Sequence, residues 1–280
     1  MLSRRFLPAQ LTGGLLCLIL LFAGGARAQG SDLAHSVIRN SALATVIDQY
    51  PKMLTQGVVQ GLSQTGNVDP LIKGAISGMI GQAFNSASIR RELAADLDRG
   101  MSEAALGEVN DWYQSPLGRE VTMLERAAAL PVAWREIEKR GPMLAEKYEG
   151  TERAKLFADF DRASRATQSA VDTAVAIQTA FGTAMAAFNG AVVDVEAIRK
   201  RVESQRPMLR GVVEQQVYTG YLYTYEAMPT DQLRSYIQFM ETSEGSQFNR
   251  VVTESVHDAI IEPIETIGAG LARLFGASGR

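Results

Sequence analysis

Cysteine and histidine, the side chains most often used to bind metal ions, are nearly missing from this sequence. The chain of 280 residues has one cysteine and two histidines. Cys17 lies in an apolar N-terminal run, and neither His35 nor His257 is spaced with a second ligand as a zinc site requires. The sequence therefore predicts no metal site, no disulfide and no cysteine nucleophile.

Motifs for other kinds of catalysis are also missing. The chain has no Gly-x-Ser-x-Gly turn and no glycine-rich phosphate loop. Acidic pairs such as Glu136/Glu138 and Asp159/Asp161 are two residues apart, so on a helix they point to different faces. We therefore predict no catalytic residue and no cofactor, although an enzyme that uses carboxylates stays open as an alternative.

The N-terminus has the pattern of a secretory signal peptide. Arg4 and Arg5 precede the apolar run 11–25, and small residues follow at Ala26 and Ala28. An uncleaved anchor is the alternative, but the run is short for a hydrocarbon core of about 30 Å. We predict cleavage after Ala28 and export to the periplasm.

Charge of either sign is spread along the chain rather than gathered in one segment. Because the leader carries three of the 28 basic residues and none of the 31 acidic ones, the expected net charge falls from −3 to about −6 on cleavage. Basic residues alternate with acidic ones, as in ERAAALPVAWREIEKR. A basic surface for DNA or RNA is therefore excluded.

What is present is helical periodicity, which extends over almost the whole mature chain. Apolar residues recur at helical spacing, and no alternating β pattern exceeds four residues. Asp69 and Pro70 have the residue types of a helix start. Helix breaks are predicted at Pro51, 99–100, 115–116, 130–131, 141–142, 149–150, 189–190, 206–207, 228–229 and 262–263. The predicted fold class is all-α.

One pattern of residues occurs twice, as WYQSPLGRE at 112–120 and FMETSEGSQ at 239–247. Phe239 follows Trp112 by 127 positions, and apolar pairs such as Leu106/Leu233 match at the same offset. Half of the mature chain of 252 residues is 126, which is close to that offset. The recurrence predicts two tandem copies of one helical unit.

Each copy of the pattern has the residue types of a helix–turn–helix corner. Ser115 and Thr242 can accept a backbone N–H of the following helix, whose first residue is Pro116 or Ser243. Gly118 and Gly245 fall in the first turn, where glycine costs about 1 kcal/mol relative to alanine. A close approach of another backbone or ring would offset that cost, so we predict a structural role for both glycines.

The first copy resembles the bacterial exported family called domain of unknown function twenty fifty-nine, whose motif is Phe-Tyr-x-Ser-Pro-x-Gly and a basic residue. The matching residues are Trp112, Tyr113, Ser115, Pro116, Gly118 and Arg119. In the second copy Phe239, Thr242 and Gly245 fit, whereas Ser243 and Ser246 replace the proline and the basic residue. The resemblance implies an exported, all-helical protein of Gram-negative bacteria, and it implies no catalytic residues.

We therefore expect a signal peptide at 1–28 and two similar helical units at 29–153 and 154–280. The second unit is the more divergent copy. No low-complexity spacer separates the units, so they are expected to pack together rather than to sit on a flexible linker.

Two stretches stand out as possible binding surfaces. The segment 57–84 is rich in glycine, with Gly74 four residues before Gly78, which predicts either tight helix packing or a mobile hairpin that opens onto a lipid or an apolar partner. In the stretch 218–226, Tyr218, Tyr221 and Tyr225 share one helical face. That face is either a half-buried stripe or the aromatic wall of a ligand or partner site.

The leading functional hypothesis is a non-enzymatic protein of the periplasm or envelope that holds a protein partner or an apolar ligand. It rests on the exported helical resemblance together with the missing catalytic patterns. A periplasmic carrier of lipids or amphiphiles is one alternative, and an enzyme that acts on the cell wall is another.

Overall fold

The computed structural model describes residues 32–65, 70–188 and 194–278. Its elements are all helices, and these ranges contain no β-strand, which confirms the predicted all-α class. The predicted signal peptide lies outside the described residues, as do the turns expected near Val68 and at 189–190.

The helices follow one another with short connections. In chain order they are α1 (32–40), α2 (Leu43–Thr65), α3 (Pro70–Ala83), α4 (Ser86–Gly100), α5 (Glu103–Gln114), α6 (Pro116–Ala128), α7 (Pro131–Tyr148), α8 (Glu152–Ser164), α9 (Ala166–Phe188), α10 (Val195–Ser204), α11 (Arg206–Thr224), α12 (Thr230–Glu241) and α13 (Ser243–Ser278).

Several helix boundaries are set by local side chains. Asn85, Ser102 and Thr151 precede α4, α5 and α8, and each side chain accepts a backbone N–H from the first turn of its helix. These bonds satisfy donors that a helix leaves unpaired at its N-terminus. A proline begins α3, α6 and α7 as predicted, because its missing N–H costs nothing at that position.

Three predicted breaks are wrong, because Pro51, Pro142 and Pro263 lie inside α2, α7 and α13. A proline inside a helix removes one backbone hydrogen bond and disfavours the preceding turn. Tertiary packing outweighs this local cost. For example, Ile260 and Ile264 on either side of Pro263 are both buried.

Buried apolar side chains form two clusters. The first cluster joins residues of α1–α5 to α13, among them Leu97, Val109 and Val251. The second cluster joins α6, α7 and α8 to α11 and α12, among them Val121, Leu144 and Leu222. Trp112 and Phe239 contact both clusters. The last helix therefore packs with helices of the first half as well as with α9 of its own half, whereas α6 and α7 pack with the second half of the chain.

Hydrogen bonds reinforce this exchange of helices between the halves. At the start of α13, the side-chain amide of Gln247 in the second half donates to the Gly100 carbonyl in the first half at 2.6 Å. Arg153 is buried and donates to the Tyr225 carbonyl at 2.9 Å. Residues of the expected first unit, 29–153, therefore contact residues of the expected second unit, 154–280.

The glycine-rich segment forms the C-terminal part of α2 and all of α3, and the expected close helix packing is wrong at Gly74 and Gly78 as far as the described residues extend. A Cβ added at either glycine would meet nothing within 4 Å. The side chains of 57–69 lie outside the description. Among the helices described, none combines the length and the hydropathy needed to cross a bilayer.

Candidate functional site

The first corner joins α5 to α6 through Ser115. The Ser115 backbone is extended, with φ −66° and ψ 163°, and its hydroxyl accepts the Gly118 N–H at 3.0 Å. A Cβ added at Gly118 would lie 2.1 Å from the Trp112 carbonyl oxygen and 2.7 Å from the Tyr113 Cα. Gly118 is therefore the residue that lets the first turn of α6 touch the end of α5.

The second corner joins α12 to α13 with nearly the same geometry. Thr242 has φ −63° and ψ 162°, and its hydroxyl accepts the Gly245 N–H at 3.0 Å. A Cβ added at Gly245 would lie 2.0 Å from the Phe239 carbonyl oxygen. Close backbone approach, which we predicted as the reason for glycine, is present at both corners.

The two corners face each other. The rings of Trp112 and Phe239 stack with centroids 4.0 Å apart and planes 7° apart. Tyr236 stacks on Trp112 from α12, at 5.1 Å. Stacked and edge-to-face aromatic pairs each add about 0.5–1.5 kcal/mol beyond the burial of their area. The aromatic residue at the start of each motif therefore joins the corners.

Tyr113, the second motif residue of the first corner, points into a larger group of rings. It contacts Phe239 and Phe248 edge-to-face. On the other side of the group, Phe160 of α8 contacts Tyr221, Tyr225 and Tyr236. Helices α5, α8, α11, α12 and α13 thus contribute to one aromatic group, here called the ring cluster: Tyr113, Phe160, Tyr221, Tyr225, Tyr236, Phe239 and Phe248.

A carboxylate lies within the ring cluster. Oε1 of Glu125, on α6, accepts hydrogen bonds from the Tyr225 hydroxyl at 2.7 Å and the Tyr236 hydroxyl at 2.8 Å. Burial raises the pKa of Glu125, and the two tyrosine hydrogen bonds oppose that shift only in part. Among the described basic side chains, none forms an ion pair with this carboxylate.

A cavity of about 240 Å³ adjoins Glu125 between the two corners. Tyr113 and Glu125 come from the first half of the chain, and Gly245 lines the cavity from the second corner. The remaining lining residues are Phe160, Ser164, Ala166, Tyr221, Tyr225, Tyr236, Phe239, Met240, Phe248 and Asn249. The cavity is therefore mostly aromatic, and Glu125 is its one acidic lining residue.

In the predicted tyrosine stripe, Tyr225 is buried, and Tyr218 and Tyr221 are half-buried. Tyr225 is buried against Phe157 and Phe160. The Tyr221 hydroxyl donates to Asp161 Oδ1 at 3.2 Å and lies 3.0 Å from the Ser164 hydroxyl. Tyr221 and Tyr225 line the Glu125 cavity, whereas Tyr218 and Tyr221 line a second, larger cleft of about 520 Å³ beside α8 and α11.

Pro116 and Arg119, the remaining residues of the first motif, point away from the ring cluster into solvent. Arg119 lines a shallow cleft with Arg39 and Arg126. Nη2 of Arg126 donates to the carbonyl oxygens of Arg39 and Ser41, the latter at 2.9 Å. Arg126 therefore has a structural role, because it pairs carbonyl groups at and just after the end of α1.

Glu125 was not predicted from the sequence. It lies in a helix that carries three other charged residues, and its two tyrosine partners are 100 and 111 positions away. No local pattern distinguishes it from the other acidic residues. Across the described ranges, no group of three or more histidine, cysteine or acidic side chains is placed to hold a metal ion.

Residues 87–147 match the model of a protein family described as "Uncharacterized protein conserved in bacteria (DUF2059)". The match covers α5, α6 and nearly all of α4 and α7, and it supports the family resemblance predicted from the first motif. No curated protein and no solved structure matches the chain.

Proposed function

We propose that the protein is an exported, non-enzymatic binding protein of the bacterial envelope, built from two tandem copies that hold a ligand between their corners. One observation carries this proposal. A cavity lies at the contact between the corners and adjoins a carboxylate that has tyrosine donors but, among the residues that the structure describes, no basic partner. Binding pockets occur preferentially at such contacts between units.

The equivalence of the helices supports the two tandem copies. The offset of 127 places Glu103 and Gln114, the ends of α5, on Thr230 and Glu241, the ends of α12. It also places the first residue of α6 on that of α13. The two corners then occupy equivalent positions, and the stacked rings of Trp112 and Phe239 are equivalent residues.

The chemistry of the cavity favours binding over catalysis. Hydrolysis of a glycosidic bond typically uses two carboxyl groups, one on each side of the bond. Glu125 is the one acidic residue among the described lining residues. The nearby Asp161 accepts a hydrogen bond from the Tyr221 hydroxyl and does not line the cavity. The cell-wall enzyme therefore has less support than the binding protein.

The size of the cavity favours a small ligand over a lipid. Pockets for drug-sized molecules have volumes of about 300–1,000 Å³, and the Glu125 cavity has about 240 Å³. The carrier of lipids or amphiphiles consequently has less support at this site. A protein partner stays an alternative occupant of the outer surface.

Mass spectrometry of the mature protein purified from the periplasm tests the proposal. We expect a small molecule to be retained in native spectra of the wild type and to be lost from Ala166→Leu, which fills the cavity lining. Ala127→Leu, at an exposed alanine on α6, is the matched control and is expected to retain the ligand. A lipid in stoichiometric amount would favour the carrier, and an unliganded wild type with a cross-linked protein would favour the partner.

A further inference from the structure

We propose that the Glu125 cavity binds a small organic cation, with Glu125 as its counter-ion and the ring cluster as its cage. This inference rests on the proposed binding function and names the class of ligand. The cation would be an amine or a quaternary ammonium group of about the size of a trimethylammonium group.

The first argument is the charge of the site. Glu125 is half-buried, and a carboxylate partly removed from water is destabilised unless a positive charge or a proton neutralises it. Oε1 of Glu125 has two neutral donors, the hydroxyls of Tyr225 and Tyr236, and the described basic side chains form no ion pair with it. The site therefore has one negative charge that the fold itself does not compensate.

The second argument is the chemistry of the walls. A cation within about 6 Å of an aromatic ring face is attracted by the ring, by up to about 2 kcal/mol or more when the site excludes water. Rings of Phe160, Tyr225, Tyr236 and Phe239 line the cavity that adjoins the carboxylate. Several rings around one carboxylate are the arrangement by which proteins recognise alkylated ammonium groups.

The third argument separates an organic cation from a metal ion. Calcium takes six to eight oxygen ligands, and magnesium takes six in a near-ideal octahedron. The polar side chains of the lining are one carboxylate, one serine hydroxyl, one asparagine and four tyrosines, two of which already donate to Glu125. Such walls suit a large, weakly hydrated cation better than a hard metal ion.

Calorimetric titration with choline tests the inference. The comparison ligand is the neutral carbon isostere of choline, in which a tert-butyl group replaces the trimethylammonium group. We expect choline to bind the wild type at mildly alkaline pH, and the isostere to bind at least about tenfold more weakly. We expect Glu125→Gln to lose at least about tenfold in choline affinity, because it keeps the shape and removes the charge.

The matched control is Glu108→Gln, at an exposed position on α5 that lines no described cavity, and it is expected to bind choline like the wild type. Melting curves check the folding of each variant. If Glu125→Gln does not fold, Ala166→Leu decides, because it fills the cavity and leaves the carboxylate in place. It is expected to abolish choline binding.

Two results would refute the proposal that the ligand is a cation. One is equal affinity for choline and its neutral isostere with no effect of Glu125→Gln, which leaves a binding cavity for neutral ligands. The other is no binding of either probe while a neutral molecule is retained from the periplasm. Loss of both the probes and any retained ligand would instead refute the proposed function itself.

Discussion

At the scale of single residues, the two corner glycines have a role that no other side chain can take. At each corner the missing Cβ leaves room for a carbonyl oxygen of the preceding helix, at about 2 Å from where the Cβ would stand. The neighbour is backbone in both cases, so it cannot rotate away as a flexible side chain would. The corner must therefore open if a Cβ is added.

We predict that Gly118→Ala and Gly245→Ala each lower the free energy of unfolding by about 1–3 kcal/mol, the usual cost of overpacking. Gly118→Ala is expected to have the larger effect, because its Cβ would meet three backbone atoms under 3 Å and that of Gly245 only two. Thermal and urea unfolding measure both. Gly107→Ala on α5 is the control, where an added Cβ meets nothing within 4 Å.

The control is expected to gain up to about 1 kcal/mol, because alanine is the better helix former in open space. Corner variants that melt like the wild type but lose a ligand would refute the structural role and indicate a binding motif. The larger variants Gly118→Leu and Gly245→Leu are expected to follow the same order with larger losses.

Glu125 gives a prediction about pH at the same scale. Burial raises its pKa in the fold above its value in the unfolded chain, so the fold favours the protonated form. The stability from this group is therefore complete at pH below the usual carboxyl range and is lost as pH rises through the raised pKa. Relative to Glu125→Gln, the wild type is expected to lose stability over that interval.

Unfolding in urea at a series of pH values measures the difference between these two proteins. Subtracting the curve of Glu125→Gln removes the contribution of all other titrating groups that the two proteins share. A difference that stays constant with pH, or that grows in favour of the wild type as pH rises, would contradict a raised pKa at Glu125.

At the scale of helices, sequence patterns identified starts better than ends. Asp or Ser caps and first-turn prolines depend on neighbours within three residues, so α3, α6 and α7 begin where their prolines predict. Breaks at Pro51, Pro142 and Pro263 were predicted wrongly. The helices at Pro142 and Pro263 continue because buried residues lie on both sides of each proline and pack against partners distant in sequence. No local pattern contains that information.

Pro142 allows a direct measure of this tertiary effect. It is exposed within α7, and its flanking residues Gly141 and Leu144 are buried. We predict that Pro142→Ala raises the free energy of unfolding by about 1–2 kcal/mol. Alanine restores a backbone hydrogen bond of the helix, and this gain exceeds the loss that comes from the greater conformational entropy of the unfolded chain without proline. Thermal melting measures the change.

Pro116→Ala is the matched control, since Pro116 is the first residue of α6 and its missing N–H breaks no helical bond. Pro116→Ala is expected to lower the free energy of unfolding by up to about 1 kcal/mol, solely because the unfolded chain gains conformational entropy when proline is removed. A loss at Pro142→Ala as large as that at Pro116→Ala would mean that the ring of Pro142 stabilises α7 in a way that the hydrogen bond does not replace.

At the scale of the whole molecule, the order of helices in space differs from their order in the chain. The spacing of the repeated motif predicted two similar corners, and the backbone angles of Ser115 and Thr242 are indeed nearly the same. The contact between them was not predicted. Trp112 and Phe239 stack, and Glu125 meets Tyr225 and Tyr236, only because α13 crosses to the first cluster while α6 and α7 cross to the second.

This exchange predicts that the halves 29–153 and 154–280 do not fold alone. Without α13, the first half would expose the faces of α4 and α5 that Phe248 and Val251 cover. Without α6 and α7, the second half would lack Val121 and Leu144 in its cluster. We expect each half alone to give a broad, weak melting transition by circular dichroism, and the two halves expressed together to coelute as one species.

The control for the missing covalent link is the intact chain with a protease site inserted at Gly150, which lies in an exposed turn with φ +70° between α7 and α8. Cleaved after folding, it is expected to stay associated and to melt cooperatively, because the link itself contributes little beside two shared clusters. Two separated halves that each melt as sharply as the intact chain and do not associate would refute the exchange. The Glu125 cavity would then have no basis either, since its lining comes from both halves.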